Sequence, residues 1–335
     1  MHRITHQYIE RETARIKTET LYGDRFINLL YSGIRERTPL LFKALISSRM
    51  SSLLGFLNYD LDSVARMTGA RRFLHTCGID LSECVDDAAS FRTLRQIFER
   101  KIRYWEVRPM PDENDTVVSP ADARMIAGSF RETSLLLIKE KFFDFTELLD
   151  SGERSWTERF EGGDFAVFRL TPDKYHYNHT PVSGRVVDHY EIPGHYHPCN
   201  PTSVLYIATP LSKNKRVVTI IDTDVPEGTG IGLVAMIEVV ALMIGEIVQC
   251  YSERAYDDPR KIQPGLFLKK GLPKSLYRPG SSTDILIFQN GRIRFDEDLV
   301  INRNHLGVQS RYNLGSQRPL AETEVAVRSG IARIK

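Results

Sequence analysis

The feature that most constrains the fold is a change in sequence texture at Pro109. After it, short runs rich in β-branched and aromatic residues alternate with glycine and proline, a pattern typical of strands joined by turns. One helical stretch is predicted, over residues 141–150. Because strands follow strands instead of alternating strictly with helices, the pattern predicts an α+β fold. The predicted strands are Thr116–Val118, Phe165–Leu170, Arg185–Tyr190, Val204–Ala208, Arg216–Ile221, Leu233–Ile237 and Asp284–Phe288.

The region before this change is predicted to be helical. Between Arg25 and Leu53, apolar residues recur every three to four positions with basic residues interleaved, and Pro39 interrupts the pattern. The segments Leu61–Phe73 and Phe91–Tyr104 continue it. Such helices either pack on the rest of the protein or lie on an anionic bilayer, and the pattern alone favours packing.

Three regions follow from these patterns. Residues 1–105 form an N-terminal helical region, residues 106–315 form a β-rich catalytic domain, and residues 316–335 form a polar tail that we expect to pack poorly. The predicted architecture is therefore a set of N-terminal helices packed on a mainly antiparallel β-sheet core.

Composition narrows the function. The chain has 335 residues, and its 45 Lys and Arg nearly balance 43 Asp and Glu, for a net charge of +2. This balance argues against a nucleic-acid partner. The four cysteines form no CxxC pair, which predicts a reducing compartment and no disulfide scaffold. No apolar run is long enough to predict a signal peptide or a membrane-spanning helix, although peripheral membrane contact stays open.

Two histidine pairs are candidates for chemistry. His176 and His179 are three residues apart, and His195 and His197 would point to the same face of a strand. Imidazoles at such spacings suit acid–base catalysis or metal binding. One interpretation is a metal-dependent β-barrel enzyme that uses all four histidines. For His195 and His197 we favour an ordinary structural role, and the sequence gives them no specific one.

Gly280 and Ser281 precede the predicted strand at Asp284. A Gly-Ser turn is common, but with His179 as base and Asp122 as its acidic partner the hydroxyl of Ser281 can attack the carbonyl of Gly280. Glycine leaves that carbonyl open to approach. The ester formed can eliminate across Ser281 and leave an N-terminal pyruvoyl group. From the residues alone, this is one option among several.

The order of the motifs resembles that of the phosphatidylserine decarboxylases, which are pyruvoyl-dependent enzymes of phospholipid synthesis. The resemblance covers residues 20 to 315, and its specificity comes from the ordered series. The matching elements are Val118–Asp122, residues 168–172, Tyr175–Pro181 with Gly184, Pro193-Gly194 with Asn200-Pro201, Asn214–Arg216, Gly280-Ser281 and residues 291–296.

The resemblance implies roles for individual residues. Ser281 would be the nucleophile of self-cleavage, His179 its general base, and Asp122 the residue that orients His179. His176 would line the substrate site and assist decarboxylation. Cleavage between Gly280 and Ser281 would give chains 1–280 and 281–335, with the pyruvoyl group made from Ser281 as the cofactor and no metal. Counting back from Phe288 selects Ser282 instead, and we prefer Ser281 because it directly follows glycine.

The resemblance also implies a reaction and a location. The reaction would convert phosphatidylserine to phosphatidylethanolamine and CO2, in a peripheral homodimer on the cytoplasmic side of an anionic membrane surface. The stretch Arg25–Leu53 would be the docking surface. Departures from the family pattern at Ala123, Lys174, Tyr177 and Ser275 leave the substrate open. A free aromatic amino acid is one alternative, and an unprocessed lipid-binding relative is another.

Overall fold

The computed structural model describes residues 5–21, 46–47, 78–131, 142–149, 156–202, 206, 208–241, 246–279, 282–313 and 319–335. Strands dominate these ranges, with several short helices among them, which confirms the α+β class. The strands are β1 (Gln7–Glu10), β2 (Arg15–Thr18), β3 (Thr116–Val118), β4 (Ala123–Ser129), β5 (Asp164–Leu170), β6 (Tyr177–His179), β7 (Gly184–Ile192), β8 (Arg216–Asp222), β9 (Leu233–Val239), β10 (Ile247–Gln249), β11 (Phe267–Leu268), β12 (Pro273–Tyr277), β13 (Ser282–Phe288), β14 (Ile293–Phe295), β15 (Glu322–Val325) and β16 (Gly330–Ile334).

The helices are short and spread along the chain. They are α1 (Leu94–Phe98), α2 (Tyr104–Val107), α3 (Phe145–Leu149), α4 (Thr157–Phe160), α5 (Pro210–Lys213) and α6 (Glu297–Arg303), with 3₁₀ turns at Leu81–Glu83, Ala88–Ser90 and Arg311–Asn313. The described helices are therefore not gathered at the N-terminus as predicted. Within the described ranges, no helix has the length and apolar character of a membrane span.

Ten strands form one sheet in the order β11-β7-β8-β9-β13-β5-β4-β15-β1-β2. Neighbouring strands run antiparallel except β1 and β15, which are parallel. Two antiparallel three-stranded sheets, β10-β12-β6 and β14-β16-β3, accompany it. The prediction of a mainly antiparallel sheet is confirmed.

The central strand β13 is buried on both faces because alternate side chains enter two cores. Leu286 and Phe288 pack in the core shared with the smaller sheets. Ile285 and Ile287 pack in the core on the other side, which includes residues of α3. This placement puts the start of β13, next to the predicted cleavage site, deep inside the molecule.

Local pattern located many elements correctly. The described strands β3, β5, β7, β8, β9 and β13 overlap six of the predicted strands, and α3 lies within the predicted helical stretch. Most of the one remaining predicted strand, Val204–Ala208, lies outside the described residues. The predicted helices at Arg25–Leu53, except residues 46 and 47, and at Leu61–Phe73 also lie outside them.

Two predictions about the ends of the chain are wrong. Residues 7–18 form the hairpin β1–β2 instead of a helix, because β15 offers β1 a parallel hydrogen-bonding edge. The segment expected to be a loose tail supplies β15 and β16, which lie inside their sheets. Val327 and Ile331 are fully buried there. The domain boundaries at residues 105 and 315 stay predictions.

Candidate active site

The predicted cleavage site lies where the chain passes from the small sheet to the large one. Gly280 and Ser281 are outside the described residues, but both flanks are described. Ser282 begins β13 opposite Leu170 of β5. On the other flank, the backbone N–H of Tyr277, at the end of β12, donates to the carbonyl of His176 at 3.1 Å. Ser282 therefore begins the strand after the predicted cleavage site, and His176 is hydrogen-bonded to the end of the strand before it.

His176 is a buried imidazole with unused hydrogen-bonding capacity. Its ring stacks on Phe98, with centroids 3.6 Å apart. Neither ring nitrogen makes a well-formed hydrogen bond to a described residue, although the carbonyls of Thr171 and Pro172 modestly favour protonation. Burial and then the charge of Arg100 lower its pKa well below the usual value, so the ring is neutral. Buried polar groups without partners are rare, and a ligand is one explanation for them.

His179 is held in one tautomer. Its Nδ1 lies 2.8 Å from the carbonyl oxygen of Gly271, and because a carbonyl only accepts, Nδ1 carries the proton. Its Nε2 lies 3.0 Å from the hydroxyl of Tyr175, which donates to it. Burial lowers the pKa of His179 to about 3. The ring is therefore neutral, as a general base must be, but Tyr175 occupies its lone pair.

Asp122 is ionised by a different set of contacts. Arg108 donates to it from Nε at 3.0 Å and from Nη2 at 2.9 Å, and the backbone N–H of Val327 donates at 2.7 Å. Burial opposes ionisation, but Arg108 outweighs it and lowers the pKa of Asp122. Asp122 lies near His179, whose backbone N–H donates to the carbonyl of Pro120 at 2.7 Å. The two side chains do not hydrogen-bond each other here.

Solvent reaches the Asp122 side of the site. An open cleft of about 390 Å³ is bordered by Asp122, Arg108, Lys174 and Glu324. Lys174 forms an ion pair with Glu324, which raises the pKa of this lysine although burial opposes the shift. The cations that border the cleft are thus already matched by carboxylates.

A group of polar side chains lies beside β13, between the ten-stranded sheet and the small sheet β10-β12-β6. We call it the buried polar layer. Each of these side chains is fully buried. So many polar side chains together are unusual in a protein interior, because burial of a polar group is unfavourable unless it is hydrogen-bonded. The layer consists of His176, Asn178, Lys274, Ser275 and Tyr277 from the small-sheet side, and Glu238, Ser282 and Asp284 from the large sheet.

An ion pair holds the centre of this layer. Nζ of Lys274 lies 2.6 Å from Glu238, and both side chains have 0% exposure. Sequence reasoning missed the layer as a site. The signal available in the sequence was an acidic residue within each of two apolar strands, Glu238 in one and Asp284 in the other.

Among the described residues, His195 and His197 do not converge with His176 and His179 on a shared metal site. The rings of His195 and His197 have centroids 5.6 Å apart, and the backbone N–H of His197 donates to Asn214 at 2.8 Å. Among the described residues, the potential metal ligands that converge are His6, Glu19 and Glu322 instead. Arg124 and Arg169 form ion pairs with these carboxylates, so a charge network accounts for this convergence.

Known proteins resemble this chain over most of its length. The family described as phosphatidylserine decarboxylase matches residues 94–315. The phosphatidylserine decarboxylase proenzyme of Ruminiclostridium cellulolyticum is 30% identical over 297 residues, which are 88% of this chain and 91% of that protein. The proenzyme of the same name from Clostridium perfringens is 29% identical over 91% of this chain and 96% of its own length. The proenzyme of the same name from Chlamydia trachomatis is 29% identical over 92% of this chain and 95% of its own length.

These matches confirm the resemblance drawn from the ordered motifs. They extend over most of this chain and nearly all of each relative, and they include the His176–His179 motif, Asp122 and the predicted cleavage site within the matched range. The chain belongs to the phosphatidylserine decarboxylase family, a family of carboxy-lyases.

Proposed function

We propose that the chain is a proenzyme that cuts itself between Gly280 and Ser281 and then decarboxylates phosphatidylserine to phosphatidylethanolamine. The relatives are named phosphatidylserine decarboxylase proenzymes, which supports both the substrate class and a maturation step. The observation that carries the proposal is His176, a fully buried imidazole without a well-formed hydrogen bond. Its carbonyl accepts a hydrogen bond from Tyr277, at the end of the strand that precedes the predicted cleavage site.

The residues around this position fit a pyruvoyl group derived from Ser281. Buried side-chain atoms of Thr171, His176, Asn178 and Ser282 have no well-formed hydrogen bond to a described residue. They can therefore serve a carbonyl group and a polar substrate. The pyruvoyl carbonyl would supply the electron-accepting group that decarboxylation needs. His176 would hold the proton that replaces CO2 on the substrate carbon, a type of assistance worth about 10²–10⁴-fold.

Self-cleavage would depend on His179 and Ser281. His179 is neutral and so is in the protonation state that accepts the Ser281 proton. Ser282, the alternative nucleophile, is already paired with Leu170 inside β13, which supports Ser281. In this proposal, Asp122 acts on His179 through its negative charge, since the hydrogen bonds to the ring come from other groups.

Strand topology is compatible with a cut at this position. Gly280 and Ser281 fall between β12 and β13, so cleavage would not divide a described strand. The fragment after the cut would contribute β13 between β9 and β5, and β15 between β4 and β1. These two strands would stay hydrogen-bonded to the larger fragment on both sides.

Membrane docking is part of the proposal. The stretch Arg25–Leu53 carries five basic residues and one acid among apolar residues, which suits an anionic bilayer. A peripheral homodimer on the cytoplasmic side would present this stretch to the lipid. Binding of purified protein to phosphatidylserine-containing vesicles, compared with neutral vesicles, tests this part separately.

A denaturing gel with intact-mass analysis tests the maturation. We expect two fragments that correspond to residues 1–280 and 281–335, the second with a blocked N-terminus. Ser281→Ala and His179→Ala should stay uncut, whereas Ser282→Ala should be cut. Cleavage in Ser281→Ala would show that the assigned site is wrong. An uncut wild-type chain with stoichiometric metal would favour the metal-enzyme interpretation, and an uncut chain that binds vesicles would favour a non-enzymatic relative.

CO2 release tests the substrate. We expect release from phosphatidylserine vesicles and none from free serine, tryptophan or tyrosine. Release from tryptophan or tyrosine alone would instead identify a decarboxylase of free aromatic amino acids.

A further inference from the structure

The buried polar layer holds two carboxyl groups against one cation. Asp284 of β13 lies directly opposite Glu238 of β9 in the sheet register. Lys274 pairs with Glu238 at 2.6 Å, and Nε2 of Gln249 donates to the same carboxylate at 2.9 Å. The hydroxyl of Ser275 donates to it as well. Glu238 is therefore the charged member of the pair.

Asp284 is the neutral member. A second negative charge one strand away from Glu238, without a cation of its own, is unfavourable in a buried site. Burial and the charge of Glu238 raise the pKa of Asp284 well above its usual value, in agreement with the geometry. Asp284 is thus a carboxylic acid with one O–H group at neutral pH.

One oxygen of the Asp284 carboxyl group has no hydrogen-bond partner among the described residues. The hydroxyl of Tyr277 lies 2.7 Å from Oδ1 and 3.1 Å from the carbonyl of Thr283. It donates to Oδ1 when the proton of Asp284 is on Oδ2, and Oδ2 has no hydrogen-bond partner among the described residues. Ser282 lies two residues earlier on the same face of β13, and its Oγ is likewise buried without a partner. Two unmatched hydroxyl groups thus occur in the strand that directly follows Ser281, which indicates a missing acceptor.

Resting on the decarboxylase function proposed above, we propose that Asp284 donates a hydrogen bond from Oδ2 to the carboxylate of the substrate. The carboxylate is the acceptor that every substrate of a decarboxylase carries and that its product lacks. Asp284 would therefore distinguish substrate from product at the site.

The neutral character of this donor suits the reaction. In the layer, Lys274 is already bound by Glu238 and by Oε1 of Gln249. A free cation would stabilise the bound carboxylate more than the transition state, in which its negative charge moves away. A neutral acid orients the same group without that fixed positive charge.

The test compares substrate with product in self-cleaved enzyme. Asp284→Leu removes the donor, Asp284→Asn keeps an N–H donor, and Thr283→Val changes the neighbouring buried residue on the opposite face of β13. For each protein, one measures KM for phosphatidylserine in mixed micelles and the inhibition constant of phosphatidylethanolamine. The unfolding midpoint and the two-fragment gel are recorded alongside.

We expect Asp284→Leu to raise KM for phosphatidylserine by about 10-fold or more, as loss of a hydrogen bond to a charged group does. It should leave the inhibition constant of phosphatidylethanolamine within about 2-fold, because the product has no carboxylate. Asp284→Asn and Thr283→Val should stay within about 3-fold of wild type in both.

Other outcomes overturn the inference. An unchanged KM in Asp284→Leu, or equal changes in both constants, would each rule out the proposed hydrogen bond from Asp284 to the substrate carboxylate. If the leucine variant stays uncut, Asp284→Asn decides: a wild-type KM supports the donor and a raised KM removes it. Failure of the proposed function itself is seen earlier, as a wild-type chain that neither splits nor releases CO2.

Discussion

The hydroxyl of Tyr175 lies 3.0 Å from Nε2 of His179, on the side of the ring opposite the carbonyl of Gly271. The hydroxyl of Tyr175 also lies 2.7 Å from that of Tyr256, which donates to it, and the backbone N–H of Ile102 donates to Tyr256 at 3.1 Å. The lone pair that the proposed base must use is therefore covered by a buried chain of hydroxyl groups.

Tyr175→Phe should accelerate self-cleavage. The change removes the hydrogen bond that competes with Ser281 for Nε2, and one neutral hydrogen bond corresponds to about 2- to 10-fold in rate. The fraction of cut chain is followed over time on denaturing gels after synthesis in vitro. Tyr177→Phe is the matched control, since its ring stacks on Tyr175. Slower cleavage in Tyr175→Phe would show that the hydroxyl relays the proton instead of covering the base.

The fold should lose stability as pH falls below about 6.5, partly because of His179. Its folded-state pKa of about 3 lies below the usual histidine value of 6.5. The unfolded chain therefore binds the proton first, and the stabilisation present above pH 6.5 disappears as pH falls towards 3. The contribution is about 3 kcal/mol between pH 6.5 and 4. Urea midpoints of the uncut Ser281→Ala chain measure it, with His179→Gln as the variant that should show a shallower pH dependence. Identical slopes would contradict the assignment.

Lys274→Met should destabilise the protein strongly. It leaves Glu238 charged and buried without its cation, which costs about 3–5 kcal/mol. Adding Glu238→Gln should restore much of the loss, because the uncompensated charge disappears. Lys215→Ala is the control, since its pair with Glu191 is partly exposed and contributes less than about 1 kcal/mol. Chemical denaturation measures all four proteins, and a Lys274→Met variant as stable as wild type would contradict the ion pair.

The two fragments should stay together after cleavage. Arg169 of β5 binds Glu19 and Glu322, each at 2.6 Å, and so ties the fragment after Ser281 to the N-terminal segment. We expect co-elution in native size exclusion and separation only in denaturant. Arg169→Met should lower the urea concentration at which they separate, because it leaves two buried carboxylates without this cation. Arg254→Ala, at an exposed pair, should not. Separation in native buffer would refute this account of the interface.

The sequence located the elements whose signal is local. Alternation and turn residues were enough for β5, β8, β9 and β13, because each strand shows its own period whatever its partners are. The ordered motifs also identified the family. Local pattern failed for β1 and β15, whose strand character depends on each other across the length of the chain. Neither segment contains an apolar run long enough to predict a strand from its own residues.

The candidate site divides in the same way. Sequence reasoning named Asp122, His176, His179 and Ser281 by spacing and resemblance. It did not find that Tyr175 and the carbonyl of Gly271 hold the ring of His179. A residue four positions away and a backbone group 92 positions away meet there only in the folded chain.

By itself, the sequence determined the kinds of element, the order of the motifs and the family, because these depend on neighbouring residues. Tertiary structure alone decided which charges are compensated. Glu238 is ionised because Lys274 reaches it from another strand. Burial, and then the charge of Glu238 on the opposite strand, raise the pKa of Asp284. In a buried site the protonation state of a group is set by burial and by its neighbours in space, and these come together only on folding.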